Sequence, residues 1–148
     1  MTDDLVLLER RGGAALLTLN QGRKRNVLSG ALVDALAARY DALEADPSVH
    51  CVVLTGAAPA FCAGAELAVL RAGAEGKFDL VRKVYDGFLR VLHSPLPTIA
   101  AVNGPAVGAG FNLALACDLR LAGKSAVFDT RFTKLHLHPG GGHAWLLA

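Results

Sequence analysis

Two short stretches of this chain lay bare the backbone in places where a backbone can do chemistry. In the first, Thr98-Ile99-Ala100-Ala101-Val102 is apolar and rich in strand formers, and it stops at Asn103-Gly104. It then passes through Pro105-Ala106-Val107-Gly108-Ala109-Gly110 and becomes Leu113-Ala114-Leu115-Ala116. That order predicts a strand, a tight turn and a helix N-terminus. Such a terminus offers unpaired N–H groups and the positive end of a helix dipole. Gly108 and Gly110 carry no side chain, so a ligand can come close to the main chain. No Lys or Arg stands in the elbow to pair with a phosphate, so the chemistry it suits is polarisation of a carbonyl oxygen.

The second stretch is built alike. Cys51-Val52-Val53-Leu54-Thr55-Gly56 reads as a buried strand that leads into Ala60-Phe61-Cys62-Ala63-Gly64-Ala65-Glu66, ahead of a helical segment from Leu67 to Ala72. One N–H from each turn, meeting at one oxygen, would make an oxyanion hole. Such donors develop their value as negative charge builds on the oxygen, and losing one typically costs about 10²–10³ in rate.

Side chains offer fewer options. Asp129, within Phe128-Asp129-Thr130-Arg131-Phe132, is either a single acid–base group or the partner of Arg131 in a loop-anchoring ion pair. Glu66 suits the dipole of the helix that follows it. His136, His138 and His143 are donors of the right type for zinc, but neither an acidic residue nor a Cys stands near them. Packing and capping are their other reading, and no metal is expected. Lys24 and Arg25 sit at a turn before Asn26, where they are solvated cations or phosphate contacts.

The elements that would position these groups alternate between strand and helix. Leu5 to Arg10 and Ala14 to Asn20 form a predicted hairpin around Arg11-Gly12-Gly13. Ser29 is a predicted N-cap for a helix from Gly30 to Ala45, with Leu32, Leu36, Tyr40 and Leu43 on one face. A strand from Val49 to Leu54 follows, and a helix from Phe78 to His93 turns Val81, Val84, Tyr85, Phe88 and Leu92 inward before Pro95 and Pro97 end it. After the elbow, Cys117 to Leu121 and Ala126 to Phe128 read as a strand pair bridged by Gly123-Lys124. The expected class is α/β.

On these segments the chain resembles the enoyl-CoA hydratase/isomerase (crotonase) family. The segments that carry the likeness are Arg23-Lys24-Arg25-Asn26-Val27-Leu28, Val52 to Gly56, Ala60 to Leu67, the glycine elbow, Ala116-Cys117-Asp118-Leu119-Arg120 and His138-Pro139-Gly140-Gly141-Gly142. They stand in the family's order from about residue 15 onward. The resemblance implies a spiral of β-β-α units and a coenzyme A thioester as substrate, with no covalently bound cofactor. It implies that the enolate formed from the thioester carbonyl is held by the backbone N–H groups of Ala65 and Ala109. It also implies that Lys24 and Arg25 face the CoA phosphates, and that Ala63, Gly64, Ala65, Leu67 and Gly108 lie against the rest of the cofactor. Family hydratases use two glutamates, and at those positions this chain has Asn112 and Phe132. Asn exchanges no proton near neutral pH and Phe none at all, so ordinary two-glutamate hydration is not expected. Asp129 is then the candidate for an isomerisation that needs one shuttling group. The family continues beyond the equivalent of Ala148 through helices that cover the acyl pocket, a region absent here, and assembles as trimers or hexamers. A homo-oligomer is expected.

Composition agrees with one domain over residues 1–148. Hydrophobic residues make up 53% and charged residues 19%, which excludes a disordered chain. A net charge of +2 without a basic run argues against nucleic acid as a partner. Apolar runs are broken well short of a membrane span, so no membrane is expected. The acidic start, Met1-Thr2-Asp3-Asp4, is not expected to act as a signal peptide. Cys51, Cys62 and Cys117 lack CxxC spacing and read as buried free thiols of a reducing, cytoplasmic setting. Among rival classes, a dinucleotide-binding fingerprint fails at Leu113, where it needs a third glycine. Neither a GxSxG nor a complete phosphate-loop motif is present.

Overall fold

A computed structural model describes residues 4–148, so the acidic start at residues 1–3 lies outside it. The hairpin forms as β1 (Val6–Arg11) and β2 (Ala14–Leu19), antiparallel and turning at Gly12, whose φ of +59° favours glycine. Every later pairing is parallel, and a parallel pair needs a crossover long enough to hold a helix. The first crossover is α1 (Gly30–Glu44), where the Ser29 side chain accepts the Leu32 N–H at 3.2 Å. It delivers β3 (Cys51–Gly56) beside β2. The second holds α2 (Leu67–Ala74) and α3 (Phe78–Leu92) and delivers β4 (Thr98–Val102) beside β3. The main sheet is completed by β6 (Leu119–Ala122), giving the order β1-β2-β3-β4-β6.

Alternate residues of β2 and β3 are buried, including Leu17, Leu19, Val52 and Leu54, and they meet Leu32, Leu36 and Tyr40 of α1. Helix α3 buries Val84, Gly87, Phe88 and Val91, while Val81, Tyr85 and Leu92 are half-buried. Gly87 is where α1 comes closest: an added Cβ would stand 2.8 Å from Val33 Cγ2. Two hydrogen-bonded groups fix the far edge. The Asp118 carboxylate accepts the Thr98 N–H at 2.7 Å and its hydroxyl at 2.8 Å, which pins the start of β6 to the start of β4.

Two expectations are corrected. Within the elbow, Pro105–Val107 is a strand of its own, β5. The segments expected to pair across Gly123-Lys124 instead lie in different sheets: β6 pairs with β4, and β7 (Val127–Asp129) pairs in parallel with β5. The physical reason is that the Gly123 N–H donates to the Val102 carbonyl at 2.9 Å. That bond ties the link to β4 and carries the chain from one sheet to the other. Among the described residues, no helix is long and apolar enough to cross a membrane.

Candidate functional site

Three side-chain amides build the site by fastening loops together. Asn103, at the end of β4, accepts the Gly56 N–H at 3.3 Å and donates to the Gly56 carbonyl at 2.7 Å, so the turn after β4 is stitched to the turn after β3. Asn26 is fully buried and donates to the carbonyls of Ala57 (2.8 Å), Ala60 (2.8 Å) and Phe61 (3.2 Å). Its Oδ1 accepts the Gln21 N–H at 2.9 Å. Asn112 holds the last loop, donating to the Gly140 carbonyl at 3.2 Å. Each amide satisfies backbone groups that would otherwise be buried unpaired.

The fastened loops then pack backbone on backbone. Helix α4 (Ala109–Leu115) follows Gly108, whose φ is +53° and whose N–H donates to the Asp129 carbonyl at 2.9 Å. Cys62 bridges Ala106, and Val107 donates to the Cys62 carbonyl at 3.0 Å. Gly64, at φ +94°, lies so close that an added Cβ would stand 2.6 Å from the Val107 carbonyl oxygen and 3.5 Å from the Ala109 nitrogen. The two backbone turns singled out in the sequence are therefore neighbours.

Between them, α2 and α3 lies a cavity of about 740 Å³. Of the expected site residues, Ala63, Gly64, Ala65, Leu67, Gly108 and Ala109 all line it. Neither Ala65 nor Ala109 donates its amide N–H to the backbone among the described residues. The helical walls are apolar, with Val69, Leu70, Phe78, Val81 and Tyr85, and Arg82 and Arg131 also line the cavity. Volume and lining suit an amphipathic ligand with an apolar arm and an anionic end.

Other candidates stand elsewhere. Lys24 and Arg25 are exposed and outside the cavity wall, although their turn is joined to it: the Arg25 carbonyl accepts the Ala63 N–H at 2.9 Å. Asp129 does not line the cavity. Its carboxylate accepts from Arg131 Nε at 2.9 Å, Nη2 at 2.6 Å and the Arg131 N–H at 2.8 Å. The Arg131 guanidinium holds the Asp129 carboxyl below the usual range, so it is ionised. Of the two readings the sequence left open, the geometry is that of the ion pair. The three histidines do not converge. His136 and His138 are exposed, His143 is buried, and no group of three potential ligands comes together among the described residues. Cys62 and Cys117 are buried free thiols pushed up to about 12 by burial.

Sequence reasoning missed three participants. Arg82 gave no sign because a single exposed cation on a helix reads as solvated surface, although here it also lines the cavity. Asn26 was visible only as part of a turn. His143 was legible as a histidine but not as the partner of Asn112, because the two lie 31 residues apart.

Residues 9–148 match the family Enoyl-CoA hydratase/isomerase. The chain belongs to the enoyl-CoA hydratase/isomerase family. Relatives agree with that membership. The chain is 52% identical over 145 residues to a Mycobacterium tuberculosis protein named "Probable enoyl-CoA hydratase EchA14", covering 97% of this chain and 57% of that one. It is 39% identical over 140 residues to the mitochondrial methylglutaconyl-CoA hydratase of Mus musculus, covering 92% of this chain and 44% of that one. Among solved structures, Pseudomonas aeruginosa PA4980 matches with a TM-score of 0.86 at 41% identity, covering 99% of this chain and 65% of that one. An enoyl-CoA hydratase from Polaromonas sp. JS666 matches with a TM-score of 0.87 at 35% identity, covering 97% and 57% respectively. The two-sheet α/β architecture is thus the crotonase fold, and this family member spans between 44% and 65% of the length of these relatives.

Proposed function

We infer that this protein handles acyl-CoA thioesters and stabilises a thioester enolate through the N–H groups of Ala65 and Ala109. The observation that carries the reading is the pair of backbone turns. Both residues line one cavity, and neither gives its N–H to the backbone. Fixed donors in a mostly apolar cavity are stronger than in water and need no rearrangement as charge develops on an oxygen. The apolar wall of α2 and α3 receives the acyl chain. Arg82 at the cavity and Lys24 and Arg25 on the adjoining turn face the CoA phosphates, with Arg able to bind a phosphate through two N–H groups. Ala63, Gly64, Leu67 and Gly108 lie along the cofactor between these ends.

The reading does not include two-glutamate hydration, because Asn112 and Phe132 supply no exchangeable proton. It favours chemistry confined to the enolate, such as movement of a double bond. A second reading, an acyl-CoA binder without turnover, rests on the same two residues. Thermal stabilisation by an acyl-CoA, followed by hydratase and isomerase assays on one sample, separates them. Stabilisation with isomerase turnover is expected. Stabilisation alone supports the binder, and no stabilisation refutes both.

A further inference from the structure

Helix α5 (His143–Leu147) opens with a histidine that is only 4% exposed. Its Nδ1 lies 2.6 Å from Asn112 Oδ1. The other end of that amide settles the direction of the bond. Asn112 Nδ2 donates to the Gly140 carbonyl at 3.2 Å, so Oδ1 faces the ring, and an oxygen there only accepts. Nδ1 therefore carries the proton, and Nε2 of the neutral ring is a bare lone pair. That atom is buried and has no hydrogen-bond partner among the described residues.

The surroundings explain why the ring is uncharged and where it stands. Phe111 and Phe132 present their rings edge-on at 5.5 and 5.1 Å. Burial accordingly holds His143 below the usual histidine range. Phe132 and Gly140 line the cavity, and Asn112 lies one helical turn along α4 from Ala109. A neutral imidazole of fixed tautomer thus sits behind the wall of the proposed enolate site, against both positions where the family's glutamates would be.

We propose that His143 Nε2, oriented by Asn112, is the proton-transferring group of this site, and that a β,γ-unsaturated acyl-CoA is the class of substrate it serves. The proposal rests on the acyl-CoA reading above. Nε2 takes a proton from the α-carbon, the C–H electron pair becomes part of a dienolate, and the charge resides on the thioester oxygen at the Ala65 and Ala109 N–H groups. The proton then returns from Nε2 to the γ-carbon. The double bond moves into conjugation, the imidazole is restored, and neither water nor an oxidant is consumed. Nε2 has no open surface, and the Phe132 ring, which lines the cavity and packs on the imidazole, is the group that must move for the reacting carbon to meet it.

The test follows conjugation of a 3-enoyl-CoA by absorbance, with acyl-CoA binding measured by calorimetry on each variant. His143→Gln is expected to bind acyl-CoA within about twofold of the parent and to lose about 10²–10⁴ in turnover. Asn112→Asp is the second variant, for use even where His143→Gln fails to fold. A carboxylate accepting the Nδ1–H favours the imidazolium, so the acid limb of the pH–rate profile moves to higher pH. The residues against the ring are Phe111 and Asn112 of α4 and Phe132 of the loop after β7. None of them titrates in the parent, so the parent's acid limb belongs to His143 and is the reference for the shift. Parent-like turnover in His143→Gln overturns the proposal, as does an unmoved acid limb in Asn112→Asp. So does a parent that binds acyl-CoA without turnover. Each of these leaves the acyl-CoA reading standing, whereas a parent that binds no acyl-CoA overturns that reading and this proposal together.

Discussion

At the scale of single residues, the side chains that hold the site are amides, and the atoms assigned to chemistry are mostly main-chain. Asn26 satisfies four backbone groups from inside the core. Asn26→Ala leaves those groups buried without partners, at about 1–3 kcal/mol for each that water cannot reach. Local relaxation recovers part of this, so urea unfolding should register a loss of about 2–4 kcal/mol. Asn26→Asp should do no better, because a carboxylate would face three carbonyl oxygens; a variant as stable as the parent would contradict the account. The two turns that line the cavity were legible in the sequence because small residues before a helix mark a bared backbone. The roles of Asn26 and His143 were not, since each is defined by partners far along the chain that only the folded turns bring near.

At the scale of elements, the site depends on how closely α4 approaches the loop after β3. A Cβ on Gly110 would run into the Cys62 carbonyl, with its carbon at 2.7 Å. Gly110→Ala must therefore push the two turns apart, an overpacking cost of about 1–3 kcal/mol. Where the displaced turns carry that cost into the site, acyl-CoA binding should weaken by about fivefold or more, since 1.4 kcal/mol is a factor of ten; calorimetry showing parent-like affinity would contradict this. A second joint closes α1 on α3. Arg90 binds Glu44 through two nitrogens at 2.8 and 2.7 Å, and Ser94 also donates to Glu44. Arg90, chiefly, holds the Glu44 carboxyl below its usual value. A carboxyl lowered by folding stabilises above its unfolded value of about 4.3 and loses that contribution as pH falls through the folded value. Glu44→Gln should thus cost about 1 kcal/mol near neutral pH, a difference that shrinks below about pH 4; equal losses at pH 7 and pH 3 in urea unfolding would contradict it. The helices and first strands were legible from periodicity and from the Ser29 cap. The partition of β6 and β7 between sheets was not. Four- and three-residue strands carry too little pattern to name a partner, and a glycine between them reads as a hairpin by default.

At the scale of the whole molecule, several large apolar side chains stand open to solvent. Leu119 and Leu121 of β6, Val127 and Phe128 of β7, and Trp145 and Leu147 of α5 are all exposed. The chain's accessible surface is 8114 Å², against about 7,200 Å² for a compact monomer of its mass. Covering a few such side chains contributes several kcal/mol at about 25 cal/mol per Å². Light scattering at micromolar concentration should accordingly report association, and a stable monomer would contradict that prediction. The class of fold was legible because parallel strands impose helical crossovers between them, whereas which apolar side chains stay exposed appears only once the strands are placed. The central claim is that a thioester oxygen sits between two backbone amides, and amide-resolved NMR tests it most directly. On titrating ¹⁵N-labelled protein with an acyl-CoA, the Ala65 and Ala109 amide protons should move downfield together as the site saturates. Saturable binding that leaves both resonances where they were would contradict it.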